Sequence, residues 1–184
     1  MRDDDPLDMG FVELTREMVG QMPAARFVSL SEIDVEPRLR MGCYLVYGYP
    51  NSFSGVNTKD RVVYTEPLRY LTELHDNPED RFDPRWQVRL KYPPLGYTHS
   101  KGHVSMPSPK GMSRCGIWRI VDLKPAAMWR RDDVKLVAID QMWHGQRRYI
   151  QGTRLPYLLF MIYRQYPSLR PAMDLRLGLV TRGW

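Results

Sequence analysis

The chain has 184 residues, a net charge of +6 and an isoelectric point near 9.4, with 43% hydrophobic and 26% charged residues. That length suits one domain, or two small ones sharing a core. No apolar run approaches the ~18 residues that cross a bilayer, and the acidic start MRDDDPLDMG lacks the apolar stretch of a signal peptide. No membrane association and a cytoplasmic setting are therefore expected.

MGFVEL (residues 9–14) is a short β-like run just after Asp8. TREMVGQMP then predicts one or two helical turns, with Thr15 as N-cap and Pro23 as terminator. ARFVSLSEIDV reads as extended. RMGCYLVYGYPNS is the clearest strand, bounded by Gly42 and by the turn cluster from Gly48 to Ser52. DRVVYTEPLRYLTEL predicts a strand pair or a bent strand, interrupted at Pro67. RWQVRLKYP alternates with period two, placing Trp86, Val88 and Leu90 on one face and Arg85, Gln87, Arg89 and Lys91 on the other. PPLGYTHSKGHVSMPSPKG reads as a long irregular loop. CGIWRIVDL and DDVKLVAIDQMWHG are strands, and Gly145 marks a hairpin turn before QRRYIQGTR. RLPYLLFMIYRQYPSL carries Leu158, Leu159, Ile162 and Tyr166 at helical spacing and predicts one amphipathic helix ending near Pro167. The tail is ambiguous. Many short strands followed by a helix point to an antiparallel barrel or sandwich rather than α/β alternation.

Two cysteines, Cys43 and Cys115, cannot form a disulfide framework and read as reduced thiols. His99 and His103 stand four apart in THSKGH, but the intervening Ser and Gly oppose a helix. No metal and no cofactor are expected. The basic residues are scattered through RWQVRLK, WRRDD, GQRRY and TRGW, without a basic helix or an aromatic RNP-type motif, so no nucleic-acid partner is expected. A basic nucleic-acid-associated β-domain would require affinity that falls steeply with salt.

The stretch with the most chemistry is PSPKGMSRCGIWRI, residues 107–120. A serine hydroxyl attacks a carbonyl only when a base takes its proton and N–H groups receive the oxyanion. Gly111, two residues before Ser113, suits a tight turn that aims the backbone N–H groups of Gly111 and Ser113 at one point. The strand GIWRI would anchor it. Asp8, just before an apolar run, is a carboxylate that can be held firmly beside a cleft.

At these residues the sequence resembles the trypsin/chymotrypsin-like serine peptidases. PSPKGMSRCGIWRI is similar to the Gly-x-Ser-Gly-Gly nucleophile turn in its bacterial GMSGG style. DMGFVEL is similar to the segment carrying the triad aspartate. Asp8 and Ser113 are 105 residues apart, against roughly 93 in the chymotrypsin template. CYLVYGYPNS resembles the strand opening the second barrel, and VKLVAIDQMWHG the strand that lines the substrate cleft. The resemblance covers most of residues 8–170.

The resemblance implies a mainly β fold: the six-stranded antiparallel barrel forming the C-terminal half of the two-barrel chymotrypsin-like fold, with a C-terminal α-helix. Residues 1–14 would be the remnant last strand of the first barrel with the triad Asp, 15–40 a connecting segment, 41–154 the second barrel, and 155–184 the helix and tail. It implies a serine endopeptidase working through an acyl-enzyme on a peptide or protein substrate. Ser113 would be the nucleophile, Asp8 the orienting acid, and Gly111 and Ser113 the oxyanion donors. The template's histidine lies roughly 45 residues before the aspartate; here no histidine precedes Asp8. The chain is thus expected to be truncated or inactive by itself, with His99 and His103 the remaining candidates for a base. SRCG also replaces SGG, setting Arg114 and Cys115 where glycines allow unusual backbone angles. The alternative is a non-catalytic, protease-like module that binds a peptide. Either way, GFVEL and the inter-barrel face would expose apolar surface and favour self-association.

Overall fold

The computed structural model describes residues 10–22, 27–36, 39–75, 82–98, 100–121 and 131–177. Six strands form one antiparallel sheet: β1 (Cys43–Gly48), β4 (Leu68–Thr72), β5 (Gln87–Lys91), β8 (Gly116–Ile120), β9 (Val134–His144) and β10 (Tyr149–Arg154), in the spatial order β4-β1-β8-β9-β10-β5. β1 shows why these residues choose strands. Tyr44, Val46 and Gly48 are buried while Cys43, Leu45 and Tyr47 are half-buried, the period of a pleated strand with one face inward.

The sheet curls on itself. Beyond β4, Leu74 bridges Leu90 of β5, the amide of His75 donates to the Arg89 carbonyl (2.9 Å), and that of Lys91 donates to the Glu73 carbonyl (3.0 Å). The edge strands therefore meet. Read around the resulting ring, β8 returns beside β1 after β1, β4 and β5 run consecutively, which is a Greek-key order. Tyr44, Val46, Val88, Leu90, Ile117, Ala138 and Ile150 fill the interior.

Two hairpins stand outside this sheet: β2 (Ser54–Asn57) with β3 (Val62–Thr65), and β6 (Leu95–Thr98) with β7 (Gly102–Ser105). Helices α1 (Arg16–Gly20), α2 (Leu155–Gln165) and α3 (Arg170–Leu177) complete the fold. The Thr15 hydroxyl caps α1 by accepting from the Met18 amide, as its sequence predicts. Leu159 of α2 and Met173 of α3 bury against Val35, with Leu30 and Ile33 alongside, making a second, smaller core. Among the described residues no helix is long and apolar enough to cross a membrane.

The structure differs from the sequence expectations in four places and resolves one left open. Residues 10–14 form no strand; Val12 is 83% exposed and pairs with no strand among the described residues, while Phe11 lies against the Tyr166 ring (5.9 Å between centroids). The extended segment before β1 instead turns through a 3-10 helix, Leu30–Glu32, because Ser29 and Glu32 form a capping box. The loop before Ser113 contains the β6–β7 hairpin, turned with the help of Gly102 at φ +69. In β5 the period-two alternation is not matched by burial: Gln87 and Arg89 are buried along with Val88 and Leu90, since Arg89 donates to Gln151 (2.7 Å) and its guanidinium lies over the Phe82 and Tyr149 rings. The ambiguous tail contains α3. The strand pair broken at Pro67 and the turn opening at Gly145 match expectation.

Candidate functional site

The Ser113 turn is fixed to its surroundings at several points. The Tyr92 hydroxyl donates to the Pro107 carbonyl (2.6 Å), and the Asn51 amide donates to the Lys110 carbonyl (2.8 Å). The Met112 amide donates to the Pro109 carbonyl (3.0 Å), and the Met112 side chain is buried in the barrel core. The Cys115 amide then donates to the Met112 carbonyl (2.9 Å), closing a turn with Ser113 and Arg114 at its centre. Only Arg114 of that pair has positive φ, at 75°, so the turn is type II and Arg114 occupies the position that favours glycine. This is the physical meaning of SRCG in place of SGG. Finally the turn is spliced onto β9: the Arg114 amide donates to the Asp140 carbonyl (2.6 Å), and the Asp140 amide to the Cys115 carbonyl (2.9 Å).

Gly111 is required by two independent constraints. Its φ is +94°, and a Cβ there would stand 2.1 Å from the Asn51 Oδ1. Cys115 faces inward against Gly48, where an added Cβ would lie 2.8 Å from the Cys115 Cβ. Burial, with Asp140 adding to it, pushes the Cys115 thiol up to about 12. It is held as a thiol and offers no thiolate at neutral pH. That leaves Ser113 as the exposed hydroxyl of this turn.

The bonding leaves a pattern in the amides. Met112 and Arg114 donate within the fold, whereas the Gly111 and Ser113 N–H groups meet no acceptor among the described residues. These are the two amides that the sequence marks as oxyanion donors. The Ser113 hydroxyl, which is exposed, also makes no hydrogen bond among the described residues. His103 is exposed on β7, with its ring against Tyr97 (5.7 Å), and it is not hydrogen-bonded to Ser113. Asp8 and His99 lie outside the described residues. Among those described, no group of three or more His, Cys, Asp or Glu side chains is placed to hold a metal ion.

One residue at this site escaped the reading of the sequence. Asp140, in the middle of the apolar run LVAIDQMW, is only 3% exposed, and its Oδ1 has no hydrogen-bond partner. Burial pushes its carboxyl up to about 7, partly offset by the Gln141 backbone N–H. The available signal was an acid sharing the inward face of its strand with Ala138, two residues earlier.

Compared with known proteins, the chain matches no protein family model, no curated protein and no solved structure.

Proposed function

We propose that this chain carries the nucleophile barrel of a trypsin/chymotrypsin-like serine endopeptidase. The observation that carries this reading is the pair of unengaged N–H groups, Gly111 and Ser113, on either side of a buried Met112 at a rigidly anchored serine turn. The Greek-key order of the six-stranded sheet and the C-terminal helix support it. In this reading the Ser113 Oγ attacks the scissile carbonyl carbon, and the carbonyl oxygen becomes an oxyanion held by the two amides. Collapse of that intermediate expels the amine and leaves an acyl-Ser113 ester, which water then hydrolyses. Asp8 has the role of orienting acid.

A general base must take the Ser113 proton, and none of the described histidines is bonded to it. The chain by itself is therefore expected to acylate slowly or not at all, since the triad and the oxyanion hole work together. Labelling with a fluorophosphonate probe tests this, with the Ser113→Ala variant as control. Weak or absent labelling is expected, and supplying an imidazole-bearing partner segment should raise it. Strong labelling that disappears in Ser113→Ala would show that the chain holds its own base. Strong labelling of equal extent in both proteins would remove Ser113 from the reading.

The missing contact between Ser113 and a base also favours a second reading, a peptide-binding module without turnover. Saturable binding of peptides by the unlabelled chain, unchanged in Ser113→Ala, would select it.

A further inference from the structure

Asp140 does more than occupy the strand beside the turn. Its main chain supplies both hydrogen bonds that join β9 to the turn, one to the Arg114 amide and one from its own amide to the Cys115 carbonyl. Its side chain faces inward, is almost wholly buried, and leaves Oδ1 without a donor. The ionisable groups that feel its charge are Tyr70 from β4, Tyr92 just beyond β5, and Cys115 from the turn, each pushed up by burial and further by it; on β10, its register partner is Gly152, which has no side chain. The Tyr70 hydroxyl is also buried without a partner, and Tyr92 is committed to Pro107. No basic side chain pairs with Asp140 among the described residues. The surroundings thus offer the carboxyl only weak acids and apolar groups.

Such a site tolerates a neutral carboxylic acid and penalises a carboxylate. A buried ion with an unsatisfied oxygen is relieved by water entry or by moving the chain outward. Here the atoms free to respond are bonded directly to Arg114 and Cys115. We propose that Asp140 is a positioning residue whose protonation state sets the geometry of the Ser113 turn: the neutral acid holds the turn as described above, and ionisation loosens it. The functional consequence, a pH-dependent oxyanion site, rests on the serine-peptidase reading. The structural coupling does not.

The test is amide NMR on the full chain carrying Ser113→Ala, titrated from about pH 5 to about pH 9. The Arg114 and Cys115 amide resonances should shift together through one transition near neutrality, with the same midpoint as the Asp140 side-chain carboxyl carbon. In Asp140→Asn, neutral and nearly isosteric, that transition should be lost. Should Asp140→Asn fail to fold, the shared midpoint of carboxyl and amides in the parent chain remains decisive. Amides that stay flat while the carboxyl titrates would overturn the proposal, as would a transition that persists in Asp140→Asn. Because Ser113 is absent from the test protein, the outcome of fluorophosphonate labelling in the native chain bears only on the peptidase reading.

Discussion

The two ends of β8 are built on opposite principles. At its far end, Arg119 reaches the buried Asp34 through Nε (2.6 Å) and Nη2 (2.5 Å), tying the segment before β1 onto the barrel. Nearby, the buried Arg154 donates to the carbonyls of Pro84, Arg85 and Glu36. Charge there is buried but answered. At the near end, where Gly116 follows the Ser113 turn, Arg114 holds a left-handed conformation, and among the described residues two amides lack acceptors and Asp140 is buried without a counter-ion. A fold normally removes such defects. Their concentration in one turn, on a strand whose other end is satisfied, is the pattern expected where local strain serves a site.

That contrast can be broken first at its stable end. Asp34→Ala leaves Arg119 buried without a partner and should cost about 3–5 kcal/mol in urea unfolding. A loss near zero would mean that the pair contributes nothing beyond packing. Next comes the acid at the other end. The Asp140 carboxyl is lifted from its ordinary value of 3.8 to about 7. Between those values the folded chain binds more protons than the unfolded one, so stability falls as pH rises through that window and is level above it. The shift corresponds to roughly 4 kcal/mol at most. Asp140→Asn should recover a large part of that at about pH 8 and almost none at about pH 4, as read from melting curves at both pH values. An equal effect at the two would contradict the ionisation argument. The smallest effect concerns backbone strain. Arg114→Gly should stabilise the chain by about 1 kcal/mol by relieving a left-handed non-glycine residue. A destabilisation would show that the Arg114 side chain contributes contacts that outweigh its strain.

Much of the sheet could be read from local pattern. β1, β8 and β9 are largely apolar or aromatic runs of strand length between turn signals, α1 carries its own cap at Thr15, and α2 ends just before Pro167. The β6–β7 hairpin was hidden because its two strands of four residues lie in a stretch dense in Pro, Gly and Ser, where turn chemistry outweighs alternation. The burial of Arg89 was hidden for another reason. Its burial depends on Gln151, 62 residues away, and no local pattern encodes such a partner. At the site, Gly111 and Ser113 could be named from the turn itself, whereas Asp140 could not. Its importance comes from register: β9 sets it opposite the turn, and only pairing between strands reveals that its main chain holds Arg114 and Cys115.

The seam between Glu73–His75 and Arg89–Lys91 has a consequence for how the chain meets its own copies. There the segment after β4 meets β5, so that, among the described residues, the two edges of the main sheet are joined over this short stretch. The β2–β3 hairpin, by contrast, pairs with no other strand among the described residues and leaves Val56, Val63 and Tyr64 in solvent. Fibre-like growth by adding strands would thus begin at that hairpin, and recruiting the barrel would first require unzipping the short seam.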